Sequence, residues 1–148
     1  MFNPERTLNI ELTESPPREA LDTISQGIKS FNQGHMPDAV VFEPDTRFAV
    51  FARNDDGKVV GGIRACAFWN YCTIELLWLS DEVRGGGVGT KLMKEAESYA
   101  KSKGFQYMRT ETLDVQAKPF YEKLGYKVFG ELPNYPLEHT MYCLTKKL

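Results

Sequence analysis

The sequence predicts one mixed α/β domain of the α+β kind, a central sheet of about seven strands flanked by helices and spanning residues 1–148. Three observations carry this expectation. Residues 47–79 read as successive strands broken only by turn signals. Ile74–Leu79, a glycine turn, an amphipathic helix and Gln106–Leu113 then follow in the order of a strand-helix-strand crossover. Lastly, an amphipathic helix precedes the strands and two further strands close the chain.

Taken in order, Leu8, Ile10 and Leu12 alternate with polar residues, the pattern of a half-buried first strand. Ser15 before Pro16 and Pro17 reads as a helix N-cap with proline in the first turn. Ala20, Leu21, Ile24, Ile28 and Phe31 then recur at helical spacing. Phe31 to Pro37 is rich in breakers and is expected to end this helix in a loop running to about Pro44. Arg47–Arg53 is a strand by its aromatic and β-branched content, Asn54-Asp55-Asp56-Gly57 is a hairpin turn, and Lys58–Trp69 returns. Gly61-Gly62 marks a bulge or a close backbone approach. After Asn70, Tyr71–Leu79 completes an antiparallel meander. The helix beginning near Val88 places Leu92, Met93, Ala96, Tyr99 and Ala100 on one face, and Gly104-Phe105 closes it. Gln106–Leu113 is expected parallel to Ile74–Leu79. Asp114–Leu124 forms a short helix ended by Gly125, and Tyr126–Leu132 and His139–Thr145 are the last strands.

Composition sets the broad class. Hydrophobic residues at 42% and charged residues at 26% are ordinary for a folded soluble chain. A net charge of −2 speaks against a nucleic-acid partner, which wants a clustered basic surface. No segment nears membrane-spanning length and the N-terminus lacks a signal-peptide core, so a cytoplasmic protein is expected. Cys66, Cys72 and Cys143 show neither CxxC nor metal-ligand spacing and read as buried thiols of a reducing compartment, with no metal expected.

Arg84-Gly85-Gly86-Gly87-Val88-Gly89, set between strand and helix, makes an anion site. The first N–H groups of a helix lack partners and carry the positive end of its dipole. Glycines let the backbone approach a ligand, and Arg84 adds a charge suited to phosphate. The turn fits neither common nucleotide fingerprint, because Thr90 stands where both would require glycine.

Leu79 to Gly89 resembles the acyl-CoA pyrophosphate loop of the GNAT superfamily of N-acyltransferases, whose core reads Arg/Gln-x-x-Gly-x-Gly/Ala; Arg84, Gly87 and Gly89 occupy its defined positions. Some 30 residues on, Ala117-Lys118-Pro119-Phe120-Tyr121-Glu122-Lys123-Leu124-Gly125-Tyr126 is similar to the family's second signature, A-x-x-F-Y-x-x-x-G-F/Y. The resemblance implies a GNAT-type fold, acetyl-CoA as cosubstrate and an amine acceptor, a small molecule or a peptide amine. Acetyl would pass directly from one to the other in a ternary complex. The pyrophosphate would lie on Arg84, Gly85, Gly86, Gly87, Val88, Gly89 and Thr90, and the pantetheine arm along Ile74–Leu79, including Leu77, Trp78 and Leu79. Two positions depart from the family's habit: Asp81 stands where proline is frequent, and Asp114 where an asparagine usually contacts the CoA arm. An ionised aspartate cannot donate.

An amine of pKa near 10.4 is protonated by about a thousand to one at pH 7, so a base is needed. Glu75, the one acid in an apolar strand, is the candidate, acting directly or through water. Its alternative is a side chain that merely faces solvent. A backbone N–H of Leu77 or Leu79 would hold the oxyanion, and Tyr121 matches the position that protonates the leaving thiolate. His35 reads as a loop residue near the acceptor mouth and His139 as a structural hydrogen-bonding residue. Trp69, Tyr71, Trp78 and Tyr135 are core aromatics or an acceptor lining. Glu75, Asp38 and Glu43 favour a cationic acceptor. The apolar Met141–Leu144 leaves room for a homodimer through the last strands. A non-catalytic acyl-CoA sensor of the same fold is the alternative function.

Overall fold

The structure is a computed structural model that describes residues 8–35 and 46–148. Backbone contacts group the chain into two units, Met1–Val41 and Phe42–Leu148.

In the first unit, helix α1 spans Arg18–His35. The N–H groups of Ala20 and Leu21 both donate to the Pro17 carbonyl, at 3.0 and 3.3 Å. Pro17, not Ser15, thus stands at the helix entrance; the Ser15 N–H is taken by the Thr13 hydroxyl at 3.1 Å. At the other end the helix continues past Phe31, where a loop was expected. The His35 ring stacks on Phe31 with centroids 4.1 Å apart, and Nδ1 bonds the Phe31 carbonyl at 2.8 Å. These contacts favour the helical spacing over the breakers Asn32 and Gly34. Leu8–Leu12 is irregular, not a strand. Alternation alone does not make a strand; a ladder partner does, and none pairs with this segment among the described residues. The predicted loop residues Met36–Pro44, with Asp38 and Glu43, lie outside the described residues.

In the second unit, β1 (Thr46–Arg53), β2 (Val59–Phe68) and β3 (Tyr71–Leu79) form the antiparallel meander. The first turn closes as its residues dictate: the Asn54 side chain accepts from the Lys58 N–H at 2.9 Å, and Gly57 takes φ 77°. A 3-10 turn, Asp81–Val83, leads to α2 (Val88–Ser102). β4 (Tyr107–Leu113) then runs parallel to β3. The chain continues through α3 (Lys118–Lys123), β5 (Lys127–Pro133) and β6 (Thr140–Lys147). β6 inserts between β4 and β5, giving a six-stranded sheet of order β1-β2-β3-β4-β6-β5. Among the described residues the count is six and not about seven, because Leu8–Leu12 does not pair there. α3 begins four residues later than Asp114, since the segment before it is a turn.

α2 buries Leu92, Met93, Ala96 and Ala100 in one core with Ile63, Ala65, Cys72 and Ile74 of the sheet, the stripe its sequence spacing required. Behind it Tyr126 donates to Glu97 Oε1 at 3.0 Å and Lys146 Nζ to Glu97 Oε2 at 2.8 Å, so the carboxylate is fully partnered. Gly61 and Gly62 mark a close approach: a Cβ on Gly62 would sit 2.8 Å from the Val50 carbonyl oxygen, and one on Gly61 2.6 Å from Leu79 Cδ2. Of the three thiols only Cys72 is buried; Cys66 and Cys143 are partly exposed, because their neighbours in sequence share the strand but not the face. Burial pushes the Cys72 thiol up to about 12. Among the described residues no helix is long and apolar enough to cross a membrane, and no group of three or more metal-ligating side chains occurs.

Candidate active site

The site is built on an interruption in the sheet. β2 and β3 pair in register except at one point, where Ala65 faces Ile74 but Arg64 faces Leu76, so Glu75 is an extra residue in β3. On the other side of β3, pairing to β4 ends at Ile74 with Thr110. Beyond that point the two parallel strands diverge, and among the described residues β3 from Glu75 to Leu79 has no ladder partner on its β4 side. The bulge and the divergence coincide at Glu75.

A cavity of about 570 Å³ occupies the gap, within the range of small-ligand sites. Glu75, Leu77, Trp78 and Leu79 form the β3 wall, Thr110, Glu111 and Thr112 the β4 wall, and Phe120 and Tyr121 the α3 wall. Arg84 and Gly89 stand at its glycine-turn end. The sequence thus placed Glu75, Leu77, Trp78, Leu79, Arg84, Gly89 and Tyr121 where the structure brings them together. Gly85, Gly86, Gly87, Val88 and Thr90 form the adjoining turn and the start of α2.

That turn presents open N–H groups. Gly87 caps α2 in the left-handed region, φ 77°, with no side chain capping the helix. The first unpartnered amides of α2 are therefore free for an anion. Arg84 holds the turn as well as charging it. Its Nε donates to the Leu79 carbonyl at 3.1 Å and its guanidinium pairs with Asp81 at 2.8 Å, the residue that replaces the family's frequent proline. Gly89 packs closely, and a Cβ there would lie 3.3 Å from the Phe120 ring and 3.4 Å from Leu79 Cδ1.

Tyr121 is buried, held edge-on between Phe120 and Tyr126. Desolvation raises its phenol above the ordinary value, with a hydrogen bond to Thr110 opposing, so the O–H remains a proton donor at neutral pH. Glu75 is not the isolated acid the strand pattern suggested. Arg64 Nε donates to Glu75 Oε2 at 2.8 Å, which leaves Oε1 as the oxygen without that partner. Arg64 escaped the sequence reading because only the bulge register brings it alongside Glu75. Thr110 and Glu111 escaped it too, since nothing in Tyr107–Leu113 tells which residues flank a gap.

Asp114 does not line the cavity, although its chain neighbours Thr112 and Val115 do. Its carboxylate turns toward the start of β6, accepting from His139 Nδ1 at 3.0 Å and from the Thr140 N–H at 3.3 Å. Desolvation opposes ionisation, but the hydrogen bonds from Thr140, His139 and Val115 outweigh it and hold the Asp114 carboxyl below its ordinary value. His139 thus makes the hydrogen bond expected of it, with a partner that the sequence did not identify.

Comparison with known proteins decides the family. Residues 10–126 match the acetyltransferase (GNAT) family. This chain belongs to the GNAT acetyltransferase family. It is accordingly an acyltransferase, and its mixed six-stranded fold is that of its relatives. Blasticidin-S acetyltransferase of Streptomyces morookaense is 33% identical over 102 residues, which cover 68% of this chain and 75% of that one. An acetyltransferase from Bacillus cereus of known structure superposes with TM-score 0.81 at 28% identity, over 93% of this acetyltransferase and 98% of the other. An aminoglycoside 6'-N-acetyltransferase solved with coenzyme A shares the fold, with TM-score 0.63 and 20% identity over 90% and 95% of the two chains.

Proposed function

We propose that this acetyltransferase moves an acetyl group from acetyl-CoA to a small-molecule amine by direct attack in a ternary complex. The observation that carries the reading is the continuity of one cavity from the open amides at the start of α2 to the Glu75 bulge and the buried Tyr121 hydroxyl. An anion-binding end and a reacting end therefore share one channel. The relative named for blasticidin-S supports a small acceptor, and the neighbour solved with coenzyme A supports the cosubstrate. The match over residues 10–126 runs through both units and supports a single catalytic domain over 1–148.

In this reading the thioester supplies an activated acyl carbon, and the chain supplies position and protons. The turn Arg84–Thr90 holds the pyrophosphate on backbone N–H groups. A β3 amide left without a β4 partner, at Leu77 or Leu79, faces the developing oxyanion. Glu75 takes a proton from the acceptor ammonium, directly or through one water, with Arg64 fixing the carboxylate's orientation. The freed amine forms the N–C bond, the C–S bond breaks, and Tyr121 donates to the departing sulfur.

Calorimetry with acetyl-CoA, followed by thiol release over a panel of small amines, tests this directly. Sub-millimolar binding and release of CoA with at least one amine are expected. Binding without release for every amine would leave a sensor, and no binding would remove the reading altogether.

A further inference from the structure

A second cavity, of about 660 Å³, lies on the other face of the same sheet. Its floor is one row across three strands: Thr73 faces Arg109 in the β3–β4 ladder, and Arg109 faces Thr145 in the β4–β6 ladder. The chain neighbours Cys72, Ile74, Met108 and Leu144 lie in the core with α2, so this row points to the outer face, away from α2. Aromatic side chains make the walls. Phe68 and Trp69 stack with centroids 4.7 Å apart, and Tyr71 and Phe129 complete the lining.

Flat walls beside one cation suit a planar ring that carries an acceptor group. Arg109 has donors to spare for that group. Its one hydrogen bond among the described residues runs from Nη2 to Glu111 Oε1 at 2.6 Å, and Nε is buried without a partner there, which leaves Nη1 to meet a ligand.

The same arginine joins this cavity to the first one, because its partner Glu111 lines the first cavity together with Glu75. Glu75 and Glu111 each follow directly on the last β3–β4 ladder pair, Ile74 with Thr110, and each is bonded to an arginine, Arg64 and Arg109. Arg64 stands between the buried Ile63 and Ala65, so it too is on the outer face. The carboxylate that would take the acceptor's proton is therefore on that face. The row Thr73–Arg109 lies two residues below it on the same two strands, roughly 7 Å away at a rise of about 3.3 Å per residue.

We propose that the second cavity holds the body of the acceptor: the substrate is an amine whose ammonium meets Glu75 and whose planar ring, bearing a carboxylate, lies between Trp69 and Phe129 with the carboxylate on Arg109. Ring and amine are separated by a spacer of about 7 Å, the distance between the two rows. This rests on the acetyl-transfer reading of the first cavity.

Thiol release from acetyl-CoA with three amines tests the assignment: propylamine, 3-phenylpropylamine and 3-(3-aminopropyl)benzoate. The ring should raise kcat/KM about tenfold over propylamine, and the carboxylate about tenfold more. Phe129 is 58% exposed, so Phe129→Ala leaves the core intact; it should cancel the gain from the ring and keep propylamine within about twofold. Arg109→Met should bring the two ring amines level. Calorimetry with 3-propylbenzoate, which has no amine, reads the cavity without acetyl-CoA: binding should weaken about tenfold in Phe129→Ala, and the benzoate should compete with 3-phenylpropylamine in the transfer assay. Equal rates for propylamine and both ring amines, or benzoate binding without competition, would overturn the acceptor assignment while acetyl transfer stands. A carboxylate advantage that survives Arg109→Met would overturn the Arg109 contact. If CoA binds but no amine releases thiol, the transfer reading falls and the assignment with it.

Discussion

Arg64 and Glu75 face each other across the one irregular step between β2 and β3, joined by a 2.8 Å hydrogen bond from Nε to Oε2. The bulge that inserts Glu75 also ends the β3–β4 ladder, so backbone irregularity, the candidate base and the opening of the cavity are a single feature. Glu75→Gln should lower kcat at pH 7 by about a hundredfold or more, the usual worth of a general base. The KM for acetyl-CoA should stay within about twofold. An unchanged kcat would assign Glu75 to the wall and not to the chemistry.

Arg64→Met separates orientation from charge balance. An ion pair on a partly exposed strand contributes at most about 1 kcal/mol, so unfolding in denaturant should change by no more than that. The rate should fall, because Glu75 loses the partner that fixes its rotamer. A loss of several kcal/mol in stability with unchanged rate would mark the pair as structural.

Tyr121→Phe keeps the ring packing against Phe120 and Tyr126 and removes only the hydroxyl. Turnover should fall by about tenfold to a hundredfold with CoA affinity preserved. The defect should shrink with acyl donors whose thiol leaves more easily, since these need less help from a donor at sulfur. Equal defects for good and poor leaving groups would remove Tyr121 from the sulfur side.

Gly87 stands at φ 77°, where any residue with a Cβ is strained by about 1–2 kcal/mol, although open space surrounds the site. Gly87→Ala should therefore cost about that much stability and weaken CoA more than tenfold, as the turn relaxes and its amides lose their common direction. CoA affinity unchanged in titration would show that the turn does not hold the cofactor.

Cys72 carries a pH dependence of stability. Its thiol ionises near 9.0 when exposed and is pushed up to about 12 in the fold. A group with a raised folded value contributes fully below the unfolded value and loses that contribution as pH rises through the folded one. Denaturant midpoints should decline from about pH 9 upward in the wild type and less steeply in Cys72→Ala. Thiol reagents at pH 8 should reach Cys72 only after unfolding. Rapid labelling of Cys72 in the native protein would contradict its burial.

Much of the frame was legible in the residues. Alternation from Arg47 to Leu79, the three-and-four spacing of α2 and the glycines at its entrance are local patterns, and local patterns survive into the fold because each is set by backbone geometry. The first strand was misread for the converse reason: Leu8, Ile10 and Leu12 have the pattern but no ladder partner among the described residues. α1 outran its expected end because the Phe31–His35 contact outweighs breaker residues that a local reading counts at face value.

What the sequence determined by itself was the family, through two signatures whose residues are contiguous, and with it the turn at Arg84–Thr90 and the candidate pair Glu75 and Tyr121. What only the tertiary structure decided was which residues complete them. Arg64 meets Glu75 through a register shift, Thr110 of β4 meets Tyr121 of α3, and Asp114, just past β4, turns to His139, just before β6 and 25 residues away in sequence. Each of these pairings depends on strand order and register. Those are set by how whole faces pack against α2 and against each other, and no window of sequence contains that information.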